Sequence, residues 1–235
     1  MPTAPASPLP EKAAVVACMR NEGLFVLEWL AYHLEIGFDR AVVCTNDCTD
    51  GSDTLLDLLA ERGLVTHLRH NPAPGQAPQD SGIRAALPAL DGSDITWLLF
   101  IDADEFLNIR LGKGYLADLL DVAGDSDVIA LAWRFFGNAG LADWPHAGPG
   151  GSVLDTFQRA EAAADPEHVN FKSLFRRAAF AHAHDHMPQA PRIPQPRVVN
   201  ALGAPLDNRQ LLSHRKFRKY QPLDRALCLD AACLN

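Results

Sequence analysis

Long apolar runs are missing from this 235-residue sequence. No stretch approaches the ~18 consecutive apolar residues of a membrane-spanning helix. Residues 1–10 also lack the basic start and apolar core of a signal peptide. No repeat of about 20–50 residues is visible, which argues against solenoids and propellers. These absences predict a cytoplasmic protein with no transmembrane segment. They leave peripheral contact with the inner face of a membrane open.

Paired cysteines and excess positive charge are missing too. The five cysteines form no C-x-x-C pair, which argues against a zinc site and for reduced, mostly buried thiols. There are 21 Lys and Arg against 29 Asp and Glu, a net charge of −8. A chain this acidic is a poor match for a phosphate backbone, so nucleic acid is not an expected partner. With 48% hydrophobic residues, the chain can bury a core without disulfides or a structural metal.

What is present is an alternation of apolar strands and amphipathic helices. The first hundred residues predict strands at 13–19, 40–45, 65–70 and 97–101, with helices between them. This order predicts an α/β fold with a mostly parallel sheet flanked by helices on both faces.

The second half of the chain is less regular. Its apolar residues indicate a helix at 115–122, strands at 127–136 and 171–177, and helical spacing over 221–234. An extended segment at 178–187 would place His182, His184 and His186 on one side.

Three carboxylates, Asp102, Asp104 and Glu105, directly follow the most hydrophobic predicted strand. In extended geometry Asp102 and Asp104 share a face roughly 7 Å apart along the chain. Carboxylate oxygens suit Mg²⁺ or Mn²⁺, and such an ion could neutralise a leaving diphosphate. A polar strand end with a helix cap is the alternative.

Two further polar loops, 20–22 and 46–51, follow the first and second predicted strands. The carboxyl ends of parallel strands lie on one sheet edge, so both loops should lie near Asp102. Their amide, acid and hydroxyl groups could hydrogen-bond a base and a ribose. Turn formation and helix capping explain the same residues.

Taken in order, these motifs resemble a known family. They read R-N-E at 20–22, E-W-L-A-Y-H at 28–33, N-D-C-T-D-G at 46–51 and D-A-D-E-F-L at 102–107. With W-R-F-F-G-N at 133–138 and F-K-S-L-F at 171–175, the series is similar to bacterial glycosyltransferase family 2-like proteins. The resemblance implies a GT-A-like, Rossmann-type fold. It also implies transfer of a sugar from a nucleotide-sugar donor, with a UDP-sugar favoured, to a glycan or lipid-linked acceptor in surface glycan synthesis.

The resemblance also assigns expected roles to individual residues. Asp102, Asp104 and His186 would hold Mn²⁺ or Mg²⁺. Donor-binding residues would be Arg20, Asn21, Glu22, Asn46, Asp47, Arg84 and Lys172. The chain would divide into a flexible leader (1–12), a nucleotide-sugar-binding half (13–110), an acceptor-side half (111–190) and a C-terminal extension (191–235) that is a candidate for truncation.

The sequence departs from the family pattern at two points. Asn46 stands where an acid is common, and no E-D pair follows Leu107 to supply a general base. Acids in the acceptor half, Asp143 and Asp185 above all, are the candidates for that base. Two other functions stay open. One is a nucleotidyltransferase, although a glycine-rich phosphate loop is missing. The other is a nucleotide- or glycan-binding module without catalysis.

Overall fold

The computed structural model describes residues 11–142, 151–213 and 218–235. Its strands are β1 Lys12–Met19, β2 Arg40–Thr45, β3 Thr66–Arg69, β4 Ile95–Phe100, β5 Leu107–Ile109, β6 Val128–Trp133, β7 Phe171–Arg176, β8 Phe180–Ala183, β9 Pro188–Pro191, β10 Val198–Asn200 and β11 Ala232–Leu234. Its helices are α1 Val26–Glu35, α2 Ser52–Glu61, α3 Pro78–Ala89, α4 Leu116–Ala123, α5 Val153–Thr156 and α6 Leu223–Ala226.

The main sheet has the order β3-β2-β1-β4-β7-β6-β11-β5, and β10 also pairs with β6. Strands β3, β2, β1 and β4 are mutually parallel, whereas β7 is antiparallel to both β4 and β6. β10 and β11 run parallel to β6, and β5 runs antiparallel to β11. The predicted α/β class with a mostly parallel sheet is therefore confirmed.

Helices cover both faces of the sheet because successive strand residues point to opposite sides. Val15 of β1 packs in one core cluster with Trp29 of α1 and Leu56 of α2. Its neighbour Val16 packs in the other cluster with Ile83 of α3. Both faces of β1 are thus buried, which explains its unbroken apolar sequence.

The C-terminal region differs from the prediction. The helical spacing over 221–234 gives only the four-residue α6, and the chain then enters the sheet as β11. Cys233 of β11 aligns with Ala132 of β6 on one side and with Asn108 of β5 on the other. Pairing with two strands at once outweighs a local helical pattern this short.

The histidine segment differs as well. β8 ends at Ala183, so the three histidines do not share one strand face. His182 is exposed, whereas His184 and His186 are buried. Within the described residues, no helix is long and apolar enough to cross a membrane.

Candidate active site

An open cleft of about 1350 Å³ lies at the sheet edge where β1, β4 and β6 end. Ligands of α/β proteins bind at this carboxyl edge. Its wall includes acids, arginines and four phenylalanines: Glu22, Asp102, Asp104, Arg110, Arg134, Arg159, Phe25, Phe106, Phe136 and Phe157. Of the predicted site residues, Glu22, Asp102 and Asp104 line this cleft together.

The segment after β4 is a turn rather than an extended strand. The backbone N–H of Glu105 donates to the carbonyl oxygen of Asp102 at 3.2 Å. The Glu105 carboxylate in turn accepts from the backbone N–H of Asp102 at 2.7 Å. The predicted shared face of Asp102 and Asp104 is therefore wrong in its geometry. Both residues still line the cleft, because the turn projects from the edge of the sheet.

The Asp102 carboxylate is held from two sides. Gln79 Nε2 of α3 donates to Oδ1 at 2.7 Å, and Lys172 Nζ of β7 donates to Oδ2 at 2.9 Å. The sequence predicts that Lys172 contacts the donor phosphate. Its side chain is instead only 1% exposed and serves as the internal counter-ion of Asp102. Burial opposes the lysine's charge, but Glu105 and Asp102 outweigh it and raise the pKa of Lys172.

Glu105 points inward beneath this pair. Its Oε2 lies 3.4 Å from Lys172 Nζ, and its Oε1 is buried with no hydrogen-bond partner within the described chain. Burial raises the pKa of Glu105 to about 7, and Lys172 offsets that effect only in part. The D-x-D-E sequence thus separates into two acids that face the cleft and one that faces the core.

Asp185, a predicted base, lies behind Asp102 rather than on the cleft wall, in a small space that it shares with Asp102 and Lys172. Its carboxylate is 3.0 Å from His184 Nδ1 and 3.5 Å from His186 Nε2. Despite its burial, these histidines hold the pKa of Asp185 well below its usual range.

His186, the third predicted metal ligand, is not among the residues that line the cleft. Its Nδ1 lies 2.7 Å from the carbonyl oxygen of Phe171, and its Nε2 faces Asp185. Both ring nitrogens therefore already face protein oxygens. Asp143, the other predicted base, lies outside the described residues.

The acid rim of the cleft is formed by Glu22, Asp104 and the nearby Asp50. Burial, together with repulsion from Asp104 and Asp50, raises the pKa of Glu22. The Asp50 carboxylate also accepts from the backbone N–H groups of Gly23 and Ser52, both within 3.0 Å, which ties the loop after β1 to the start of α2. The three acids of the rim repel one another, and a bound cation would reduce that repulsion.

The other predicted donor-binding residues bond mainly to one another. Asn21 Oδ1 accepts from the Thr49 backbone N–H at 2.7 Å, and Arg20 Nε donates to the Asp47 carbonyl at 3.3 Å. Asn46 Nδ2 donates to Asp47 Oδ2 at 2.9 Å. Asn21 and Asp47 adopt positive φ angles of 61° and 49°, a region that Asn and Asp tolerate better than most residues. These side chains fold the two loops against each other.

Arg84 is not part of this arrangement. It is exposed on α3 and lines a second cleft with Arg177 and His182. That cleft also contains Ile95, at the start of β4, whereas Asp102 follows the end of that strand. Arg84 therefore lines a different cleft from Asp102 and Asp104.

The sequence reasoning did not identify Gln79 or the three cleft arginines. Arg134 directly follows β6, and the rule that placed Asp102 at the carboxyl edge could have found it. Gln79 lies in the first turn of α3, and no sequence pattern marks its contact with Asp102.

The donor set suits a hard divalent cation that arrives with a ligand. Asp102 and Asp104 supply carboxylate oxygens, but no three His, Cys, Asp or Glu side chains of the described residues converge to hold an ion alone. Mg²⁺ commonly uses one or two carboxylates and completes its coordination with substrate phosphates. The acid rim beside Glu22 fits that mode of binding.

No protein-family model matches the chain. Two curated proteins named for glycosyltransferase family 92 are similar to it. One, from Ricinus communis, is 26% identical over 143 residues, and the other, from Oryza sativa subsp. japonica, is 31% identical over 139 residues. The alignments cover 59% and 57% of this chain but 25% and 23% of the relatives, so the chain spans about a quarter of their length. These relatives support glycosyl transfer in general. They carry the family 92 name, so the support does not extend to the expected family 2.

Three solved structures show weaker likenesses. S. aureus TarS 1-349 in complex with UDP aligns with a TM-score of 0.45 at 15% identity, covering 72% of this chain and 47% of that one. The mannosyltransferase PcManGT from Pyrobaculum calidifontis in complex with GDP-Man and Mn²⁺ aligns with a TM-score of 0.42 at 19% identity, covering 54% of this chain and 37% of that one. A 4-diphosphocytidyl-2C-methyl-D-erythritol synthase aligns with a TM-score of 0.40 at 17% identity, covering 72% of this chain and 76% of that one. Scores this low give the likenesses no weight for function.

Proposed function

We propose that this chain forms the donor-binding and catalytic region of a glycosyltransferase that moves a sugar from a nucleotide-diphosphate sugar to an acceptor hydroxyl. One observation carries the proposal. Glu22, Asp102 and Asp104 meet in an open cleft at the carboxyl edge of a parallel sheet. The glycosyltransferase names of the two curated relatives support the same chemistry.

Asp102 and Asp104 would hold Mg²⁺ or Mn²⁺ in this cleft. When bound, the ion would offset the negative charge of the leaving diphosphate. Lys172 and Gln79 would keep the Asp102 carboxylate in one orientation by the hydrogen bonds already formed. A ligand carboxylate fixed in this way loses little freedom when the cation binds.

The loops at 20–22 and 46–51 would form the nucleoside side of the site. Their mutual hydrogen bonds give the loops a defined shape before the nucleotide binds, so backbone groups as well as side chains would contact it. The motif series suggests a UDP-sugar as donor and a surface glycan or lipid-linked saccharide as acceptor. Both are part of the proposal.

Nucleotide binding with and without Mn²⁺ tests this function most directly. The test measures thermal unfolding of the chain with UDP, GDP, CMP and dTDP. At 100 times its dissociation constant, a ligand stabilises the folded chain by ~2.7 kcal/mol, which is a shift of roughly 5–10 °C for a domain of this size. We expect one nucleotide to give that shift only when Mn²⁺ is present.

The Asp104→Asn variant should lose the shift, because the amide removes a charged ligand of the cation. Asp121→Asn is the matched control, since Asp121 is exposed on α4. The proposal fails if folded wild-type chain responds to no nucleotide, or if Asp104→Asn responds as the wild type does. Release of pyrophosphate from a nucleoside triphosphate would identify nucleotidyl transfer instead.

A further inference from the structure

Three arginines line the part of the cleft beside β5, β6 and the segment after α5. Arg134 follows β6, Arg110 follows β5, and Arg159 lies in the segment after α5. The acid rim, in contrast, follows β1, β2 and β4. β7 separates β4 from β6 in the sheet, so the arginine wall and the acid rim occupy different parts of one cleft.

The charge of this wall is poorly neutralised within the described residues. Arg134 is half-buried, and its guanidinium donates only to the carbonyl oxygen of Glu161, at 3.3 and 3.4 Å. Arg159 has no ion-pair partner in residues 11–142, 151–213 and 218–235. Arg110 has a loose one at 3.7 Å, Asp230, whose side chain is 99% exposed. An exposed pair at that distance contributes little and is screened by salt.

Backbone hydrogen bonds connect the segments that carry the three arginines. The Gly137 N–H donates to the Arg159 carbonyl at 2.9 Å, which fixes the Arg159 segment against the chain that follows Arg134. Burial raises the pKa of Cys233 in β11, and the positive charges of Arg110 and Arg134 lower it in part. All three arginines line the same cleft.

Aromatic rings complete this part of the cleft. Phe136 and Phe157 line it, and Phe25 and Phe106 continue the apolar surface toward the acid rim. Ligand sites of this kind pair an apolar lining with a few convergent polar groups that fix orientation. The apolar face of a sugar ring fits the phenylalanines, and a guanidinium fork fits a carboxylate or a phosphate.

We infer that Arg110, Arg134 and Arg159 form a subsite for an anionic acceptor, a saccharide that carries a carboxylate or a phosphate group. The inference rests on the proposed glycosyl transfer, because it names the acceptor class of that site. The donor diphosphate would be matched by the cation at Asp102 and Asp104. The arginine wall is thus left for a second anion, in a chain whose net charge is −8.

Direct binding of small sugars tests the subsite without activity. Isothermal titration calorimetry on the wild-type chain would compare glucose 6-phosphate and glucuronate with neutral glucose. We expect one or both charged sugars to bind at least tenfold more tightly than glucose. A response to the phosphate alone, or to the carboxylate alone, would identify which group the acceptor carries.

Arg159→Gln is the decisive variant, because this exposed side chain has no described partner whose loss would unfold the chain. It should weaken binding of the charged sugar about tenfold, or ~1.4 kcal/mol. It should leave the nucleotide-dependent thermal shift unchanged. Arg84→Gln removes the same charge from the second cleft and should change neither measurement.

Three outcomes overturn the inference. They are equal binding of charged and neutral sugars, loss of charged-sugar binding in Arg84→Gln, and an Arg159→Gln variant that binds the charged sugar as tightly as the wild type does. In each case a nucleotide shift in the wild type would leave the proposed glycosyl transfer standing. Charged-sugar binding that depends on Arg159, with no nucleotide binding at all, would keep the subsite and reject the proposed function.

Discussion

Two clusters in this molecule place one cation between two carboxylates, and they differ in burial. Lys172 lies between Asp102 and Glu105 with its side chain 1% exposed. Arg69 of β3 pairs with Asp53 and Asp57 of α2 with its side chain 52% exposed. The charges are alike in number and sign. Water can replace a lost partner at Arg69 but not at Lys172, so the two clusters should differ in their effect on stability.

General magnitudes make this difference large. Exposed ion pairs contribute about 0–1 kcal/mol, because water screens them and both side chains lose freedom. Breaking a buried pair by removing one partner costs about 3–5 kcal/mol, because the remaining charge stays buried and unpaired. The site in the cleft is thus supported by the cluster that tolerates change least.

Lys172→Met should have the largest effect. Removing the ammonium leaves Asp102 without its counter-ion and favours the protonated form of Glu105, so we expect the free energy of unfolding to fall by about 3 kcal/mol, the low end of the range for a broken buried pair. Urea denaturation measures it. Lys113→Met, at an exposed lysine, is the control and should change stability by less than about 0.5 kcal/mol. A similar small loss in both variants would contradict the contrast between the clusters.

Glu105→Gln should change the pH dependence of stability. The folded chain holds the pKa of Glu105 at about 7, above its ordinary 4.5, and therefore favours the protonated acid. The contribution of protonated Glu105 to the free energy of unfolding is complete below about pH 4.5 and is lost as the pH rises through 7. It amounts to about 3 kcal/mol.

Urea denaturation between pH 5 and 8 should therefore show a steeper decline for the wild type than for Glu105→Gln. Asp121→Asn, at an exposed acid of α4, is the control and should keep the wild-type slope. Parallel curves for the wild type and Glu105→Gln would show that the buried acid does not titrate there.

Arg69→Gln should have the smallest effect, a loss of at most about 1 kcal/mol. That loss should shrink further in 1 M NaCl, where the screening length is about 3 Å. The effect of Lys172→Met should persist in the same salt. An Arg69→Gln loss above about 2 kcal/mol would mean that this surface cluster is more than a screened pair.

The sequence predicts the first half of the fold well, because its signals are local. The spacing of apolar residues changes from that of a strand to that of a helix within a few residues, both between β1 and α1 and between β2 and α2. Strands β1 and β2 are also buried on both faces. The rule for the carboxyl edge then places Asp102 and Glu22 together. The turn at 102–105 escapes prediction because it depends on a hydrogen bond between the Glu105 carboxylate and the backbone, not on an apolar pattern.

Long-range pairing explains what the sequence does not reveal. The Lys172 bond to Asp102 joins residues 70 positions apart and depends on the register in which β4 meets β7. β11 has only three residues, too few for a period of two to be distinguished from a helical one. The arginine wall is likewise assembled from three separate segments, so no single motif could mark it.

The pairing of β11 also has a kinetic consequence. Within the described chain, β5 joins the sheet through β11, and Phe106 and Asn235 exchange backbone hydrogen bonds of 2.9 and 3.0 Å. Ala232 pairs with Ile109, so this contact closes a loop of about 120 residues. Contacts so distant in sequence form slowly. During synthesis the parallel strands β1 to β4 can pair before β11 is made, so we expect the acid rim to form before the part of the cleft that Asn235 lines beside the arginines.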